Sequence, residues 1–127
     1  MSTIIYAVHV HWSESRYFPE EEKEYSLKEF EELASKAAYF HTDDGSYLKT
    51  KVTIWFDEAR TDGQLYRIDL NQEETGIRSH FSNMRAYLIH LLNSSATGEK
   101  HFYHYQEKLE WLDSIDWETS MEIDLND

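Results

Sequence analysis

The sequence predicts a single α+β domain: a small antiparallel sheet of three strands packed against three helices, with room for a fourth strand at the C-terminus. Three observations carry this reading. Apolar residues alternate in three short segments, as half-buried strands require. In three other segments they recur every three to four residues, as amphipathic helices require. The 127 residues are 40% hydrophobic and 15% aromatic, enough for one real core, and show no internal repeat, low-complexity tract or linker.

Thr3–Trp12 reads as the first strand. Tyr6, Val8, Val10 and Trp12 fall on one face; Ile5, Ala7, His9 and His11 fall on the other. Apolar groups on both faces predict a central position. Ser13–Glu24 holds the only proline, Pro19, and the run Glu20-Glu21-Glu22, and reads as a loop. Ser26-Leu27-Lys28-Glu29 has the form of a capping box, with the Ser26 hydroxyl and Glu29 carboxylate each serving the other's backbone amide. The helix it opens buries Leu27, Phe30, Leu33, Ala34, Ala37 and Ala38 and turns Glu31, Glu32 and Lys36 outward. Asp43-Asp44-Gly45-Ser46 closes the segment with turn residues.

Lys51–Asp57 and Gln64–Leu70 read as an antiparallel hairpin about the polar turn Glu58–Gly63. Val52, Ile54 and Phe56 share one face of the first arm, with Tyr66, Ile68 and Leu70 inward on the second. Ile77–Leu92 is a helix with Ile77, Phe81, Met84, Leu88 and Leu91 on one stripe; Asn93–Gly98 breaks it. Lys100–Ser114 is a third helix that buries Phe102, Tyr105, Leu109 and Leu112. From Trp117 to Leu125 apolar and polar residues alternate strictly, which admits an edge strand with a carboxylate-rich outer face; residues 115–127 are either such a strand or a flexible tail.

Charge is the strongest compositional signal. Twenty-five acidic against twelve basic residues give a formal net charge of −13. Such a globule repels phosphate backbones and anionic lipid, and favours a basic protein partner. The absence of cysteine excludes disulfides, thiolate metal sites and thiol nucleophiles. No stretch approaches the ~20 apolar residues of a membrane span. The start of the chain lacks the basic region of a signal peptide, so the expected location is the cytoplasm.

Few motifs carry chemistry. His9-x-His11 places two imidazoles on one strand face at workable metal-ligand spacing, with Asp57 or Asp69 as candidate third ligands; polar side chains tolerated on an outer face account for the pair as well. His101-x-x-His104 has no accompanying Glu-x-x-His and reads as an exposed helix face. His80 flanks the core and His90 faces solvent. There is no Gly-x-Ser-x-Gly and no glycine-rich phosphate loop. Trp12-Ser13-Glu14-Ser15 sets hydroxyls beside a carboxylate, as strand ends often do. The expectation is therefore a protein without catalytic residues, cofactor or metal, acting by binding.

The acids are clustered. Glu14 to Glu32 contains eight acids against three bases, and Glu107 to Asp127 eight against Lys108 alone. Carboxylates held on a strand or helix lie several ångströms apart, the scale of phosphate spacing along a nucleic-acid strand. They can therefore occupy an Arg/Lys groove that evolved for nucleic acid, unless they serve only solubility. The candidate contact residues are Glu110, Asp113, Asp116, Glu118, Glu122 and Asp124, then Glu20, Glu21, Glu22 and Glu24, with Trp111 and Trp117 as aromatic anchors.

One ordered set of segments resembles a known family. It comprises the aromatic strand running into Trp12-Ser13-Glu14-Ser15, Tyr25-Ser26-Leu27-Lys28-Glu29-Phe30, Lys49-Thr50-Lys51-Val52-Thr53-Ile54-Trp55-Phe56, Tyr66-Arg67-Ile68-Asp69-Leu70 and His80-Phe81. Over roughly residues 4 to 92 this looks like the large polyvalent protein associated domains of phage and conjugative elements. The resemblance implies a mobile-element accessory protein and supplies no catalytic residues. Such domains are usually pieces of very long chains, so a free-standing copy with an added acidic segment, at about 107–127, is expected to act by itself. By analogy with other mobile-element proteins, the leading expectation is an acidic nucleic-acid mimic of anti-CRISPR type, inhibiting a host defence nuclease such as a CRISPR effector without contacting nucleic acid or membrane. The alternatives are an interaction module of a phage or plasmid machine with no nuclease target, and a His-metal enzyme.

Overall fold

The computed structural model describes residues 2–11, 22–37, 49–69, 76–94 and 99–124. In chain order the elements are β1 (Ala7–His11), β2 (Lys23–Tyr25), α1 (Leu27–Ala37), β3 (Lys49–Trp55), β4 (Gly63–Asp69), α2 (Ile77–Leu92), α3 (Glu99–Asp113) and α4 (Trp117–Glu122). The sheet is antiparallel with order β2-β1-β3-β4. The α+β class, the central first strand and the β3–β4 hairpin all follow the sequence pattern.

Register decides which side chains share a face. Val8 lies opposite Ile54 and Val10 opposite Val52, which in turn lies opposite Tyr66. These residues and Ile68 are buried in one cluster with Leu27, Phe30 and Ala34 of α1, Ile77, Phe81 and Leu88 of α2, and Leu112 and Ile115. The other face carries His9, His11, Thr53, Lys51, Leu65 and Arg67, all half-buried or exposed.

The α1 capping box forms as expected: the Ser26 amide donates to Glu29 Oε1 and the Glu29 amide to Ser26 Oγ, both at 3.2 Å. At the hairpin turn Arg60 takes a positive φ of 61°. Asp57 holds that turn by accepting from the Thr61 and Asp62 amides at 2.9 Å and from the Thr61 hydroxyl.

Four sequence expectations need correction. The fourth strand exists, but it is β2, which overlaps the end of the segment read as a loop. Trp117–Leu125 is not a strand; its residues Trp117–Glu122 form α4. Asp116 caps that helix, its Oδ1 accepting from the Thr119 amide at 3.1 Å and its Oδ2 from the Thr119 hydroxyl at 2.8 Å. Alternation misleads here because Trp117 and Met121 satisfy both a period of two and a helical spacing; the fully buried Ser120 fits only the helix. Phe102 stands 37% exposed rather than in the core. Glu31, assigned to the outer face of α1, is drawn inward against α2. Ala38, the turn at Asp43–Ser46, Leu70 and Trp12–Ser15 lie outside the described residues.

The segment before β1 is sewn to the segment from Ser114 to Ser120. The Thr3 amide donates to the Ser114 carbonyl at 2.9 Å and the Asp116 amide to the Thr3 carbonyl at 2.8 Å, forming a parallel bridge between Thr3 and Ile115. Ser120 Oγ accepts from the Ile5 amide at 2.9 Å and donates to the Asp116 carbonyl at 2.7 Å.

Candidate functional site

Two surface constellations emerge from this scaffold. The first is acidic. α4 packs beside α1, and an open groove of about 520 Å³ runs between them, lined by Ser26, Lys28, Glu29 and Glu32 on one side and Met121, Glu122, Ile123 and Asp124 on the other. The two acidic stretches, some ninety residues apart in sequence, thus contribute carboxylates to one groove. A second shallow depression on α3 is lined by Tyr103, His104, Gln106, Glu107 and Glu110, with Tyr103 62% exposed.

The expected contact residues divide according to what else they touch. Glu110, Glu118 and Glu122 are exposed and make no ion pair among the described residues; Asp124 is exposed at the groove rim. Asp113 is engaged by α2, its Oδ1 2.6 Å from Arg85 Nε. Asp116 is occupied as the α4 cap, and the Thr119 amide and hydroxyl hold its carboxyl below the usual range. Trp111 packs edge-on to Phe56 and Phe81, with centroids 5.1 and 6.0 Å away. Trp117 lies beside Phe81, and the Arg78 guanidinium sits 5.3 Å from its ring centre. Both tryptophans are half-buried against the core. Glu24 forms a two-pronged pair with Arg60, Oε1 to Nη2 at 2.8 Å and Oε2 to Nε at 3.1 Å; that pairing lowers its pKa. Glu20 and Glu21 lie outside the described residues.

The second constellation lies on the open sheet face. His9 and His11 are two residues apart on β1, their rings stacked with centroids 4.7 Å apart. Antiparallel pairing sets His9 opposite Glu24 and Val10 opposite Lys23, so the next step brings Glu22 to His11. Glu22 Oε1 is 3.1 Å from His11 Nδ1 and Oε2 is 3.3 Å from His9 Nε2. The hydrogen bond from His11, followed by that from His9, lowers the Glu22 pKa. The far nitrogen of His11, Nε2, lies 3.0 Å from Thr53 Oγ1 on β3. Among the described residues the companion of the two histidines is thus Glu22 and not Asp57, which is held in the hairpin turn; the Asp69 side chain lies outside the described residues. The other described histidines follow expectation: His80 is half-buried edge-on to Tyr66, 5.5 Å away, and burial lowers its pKa, while His90, His101 and His104 are exposed.

Residues 3–96 match the profile of large polyvalent protein associated domain 25. The chain belongs to that family. Large polyvalent protein associated domain 25 is a phage- and mobile-element-associated domain. Its match takes in the whole sheet, α1 and α2, and with them the His9, His11 and Glu22 group; α3 and α4 lie beyond it. No curated protein and no solved structure matches the chain. No helix among the described residues is long and apolar enough to cross a membrane.

Proposed function

We propose that this domain is a mobile-element accessory protein that acts by binding rather than by catalysis. In this reading its acidic surface occupies the basic nucleic-acid groove of a host defence nuclease, a CRISPR effector being the leading candidate, in the bacterial cytoplasm. The observation that supports this most is the convergence of Glu32 from one acidic stretch and Glu122 and Asp124 from the other on one groove. The helical backbone that carries Glu32 and Glu122 does not have to be ordered on binding, so only the side chains lose freedom and more of their attraction to an Arg/Lys groove is retained. Charge steers the encounter and salt weakens it, because the Debye length shortens from ~10 Å at 0.1 M to ~3 Å at 1 M. Glu110 and Glu118 extend the negative surface along α3 and α4.

The test uses the full chain and a Glu32→Lys, Glu110→Lys, Glu118→Lys, Glu122→Lys variant, assayed for competition with nucleic acid on a panel of CRISPR effectors. The variant spares Asp113 and Asp116, which hold the fold. The wild type should displace nucleic acid from at least one effector, less effectively at higher salt, and the variant should lose at least about tenfold in potency with unchanged circular dichroism. Equal potency of the two proteins, or inhibition indifferent to ionic strength, sinks the reading. Co-purification with replication or transfer proteins instead of a nuclease points to the interaction-module alternative.

A further inference from the structure

We propose that His9, His11 and Glu22 form a binding site for one divalent transition-metal ion, of which zinc is the representative. The site lies on the open sheet face, away from the α1–α4 groove, and stands independently of the nuclease reading.

The backbone supplies the preorganisation. Two donors sit on the interior strand β1, and the third is the residue immediately before β2, brought beside them by the β1–β2 pairing that begins at Lys23. One donor atom from each residue lies within 4.8 Å of the others. Zinc–ligand distances of 2.0–2.2 Å with tetrahedral angles place neighbouring donors about 3.3 Å apart. The two imidazole–carboxylate gaps, 3.1 and 3.3 Å, already have that value. The two gaps run to different oxygens of Glu22, Oε1 toward His11 and Oε2 toward His9, so an ion would either be held by both oxygens or draw the two rings toward one of them.

The outer contact fits as well. Metal-bound histidines are typically oriented by a hydrogen bond at the nitrogen that does not face the ion, and His11 Nε2 has such a partner in Thr53 Oγ1, leaving Nδ1 turned toward Glu22. A cation held between the rings and the carboxylate would engage all three at once. Two imidazoles and one carboxylate suit zinc and its first-row neighbours rather than magnesium or calcium, which prefer all-oxygen sites. The side chains of His9, His11 and Glu22 are 29%, 32% and 63% exposed. An ion can therefore enter without any element moving, and with three protein donors at least one coordination position remains for water or for a donor from another molecule.

The test takes the untagged full chain, stripped with chelator, and titrates it with zinc by calorimetry and with cobalt(II) by visible absorption. One ion should bind per chain with micromolar affinity, broadening or shifting the ring resonances of His9 and His11 but not those of His101 and His104. His9→Ala, His11→Ala and Glu22→Gln should each weaken binding by more than ~10-fold. Glu22→Gln changes an exposed side chain, so it tests the site without endangering the fold. The absence of saturable binding below ~1 mM in the wild type, or an affinity unchanged in any one of the three variants, overturns the proposal.

Discussion

Glu31 belongs to α1 but serves α2. Its Oε1 accepts from the Ile77 and Arg78 amides, each at 3.1 Å, so it caps a helix whose own N-cap, Gly76, has no side chain to offer. Gly76 is required at that point: its φ is 102°, and a Cβ there would lie 1.6 Å from Glu31 Oε2. Burial raises the Glu31 pKa even though the two amides pull it down. The fold thus binds the Glu31 proton more tightly than the unfolded chain does, and the carboxyl's contribution to stability falls as pH rises from the ordinary 4.5 through the raised folded value. Wild type should therefore gain stability relative to Glu31→Gln on going from pH 7 to pH 5, measured by urea unfolding. Glu31→Ala, which removes the cap altogether, should cost roughly 1–2 kcal/mol. Nothing near Glu31 in the chain announces this role: it adjoins a buried Phe30 at a position that spacing alone assigns to solvent, and its partners lie 46 and 47 residues away.

At the scale of elements, legibility follows length and periodicity. The sixteen residues of α2 carry a stripe long enough to fix both ends, and β3 and β4 alternate cleanly about a polar turn. β2 is only three residues, Lys23-Glu24-Tyr25, two of them charged; it joins the sheet through backbone pairing with β1, which leaves little mark on composition. The candidate metal group was half visible for the same reason: His9 and His11 stand out on β1, whereas Glu22 becomes their neighbour only once β2 is paired. In α4 the capping pattern Asp116-x-x-Thr119 was the available signal, and it outranks alternation in so short a segment. Asp116→Ala should lower the melting temperature, and Asp116→Asn, which keeps an acceptor for the Thr119 amide, should restore most of the loss. The Asp116 pKa is lowered chiefly by that amide, so the carboxylate's advantage over asparagine is present above the ordinary 3.8 and disappears as pH falls through the folded value.

Across the whole molecule, net charge and class are plain in composition and pattern, but the integration of the acidic C-terminal part is not. Leu112 and Ile115 sit in the core, and Ser120, fully buried, joins α4 to the segment before β1. A residue 115 positions along the chain thus satisfies the Ile5 amide. Ser120→Ala should strand that amide and cost roughly 1–3 kcal/mol in chemical denaturation, with the sheet and helices still melting in one transition, since Leu112 and Ile115 keep both layers in one core. Of the described candidate carboxylates, Glu110, Glu118 and Glu122 on α3 and α4 are exposed and make no ion pair among the described residues, whereas Glu22, also exposed, meets two histidines. Asp113 was indistinguishable from them in sequence because its partner, Arg85, lies 28 residues away and becomes apparent only in the folded chain.

The closure between Thr3 and residues 114 to 116 also bears on synthesis. During translation the first strand emerges more than a hundred residues before the groups that fasten its leading end. The nascent chain must keep the segment before β1 unmispaired until residues 114 to 116 clear the ribosome. A stalled or prematurely terminated product would expose Ile5 and its unpaired amide, making it a ready substrate for chaperones or proteases.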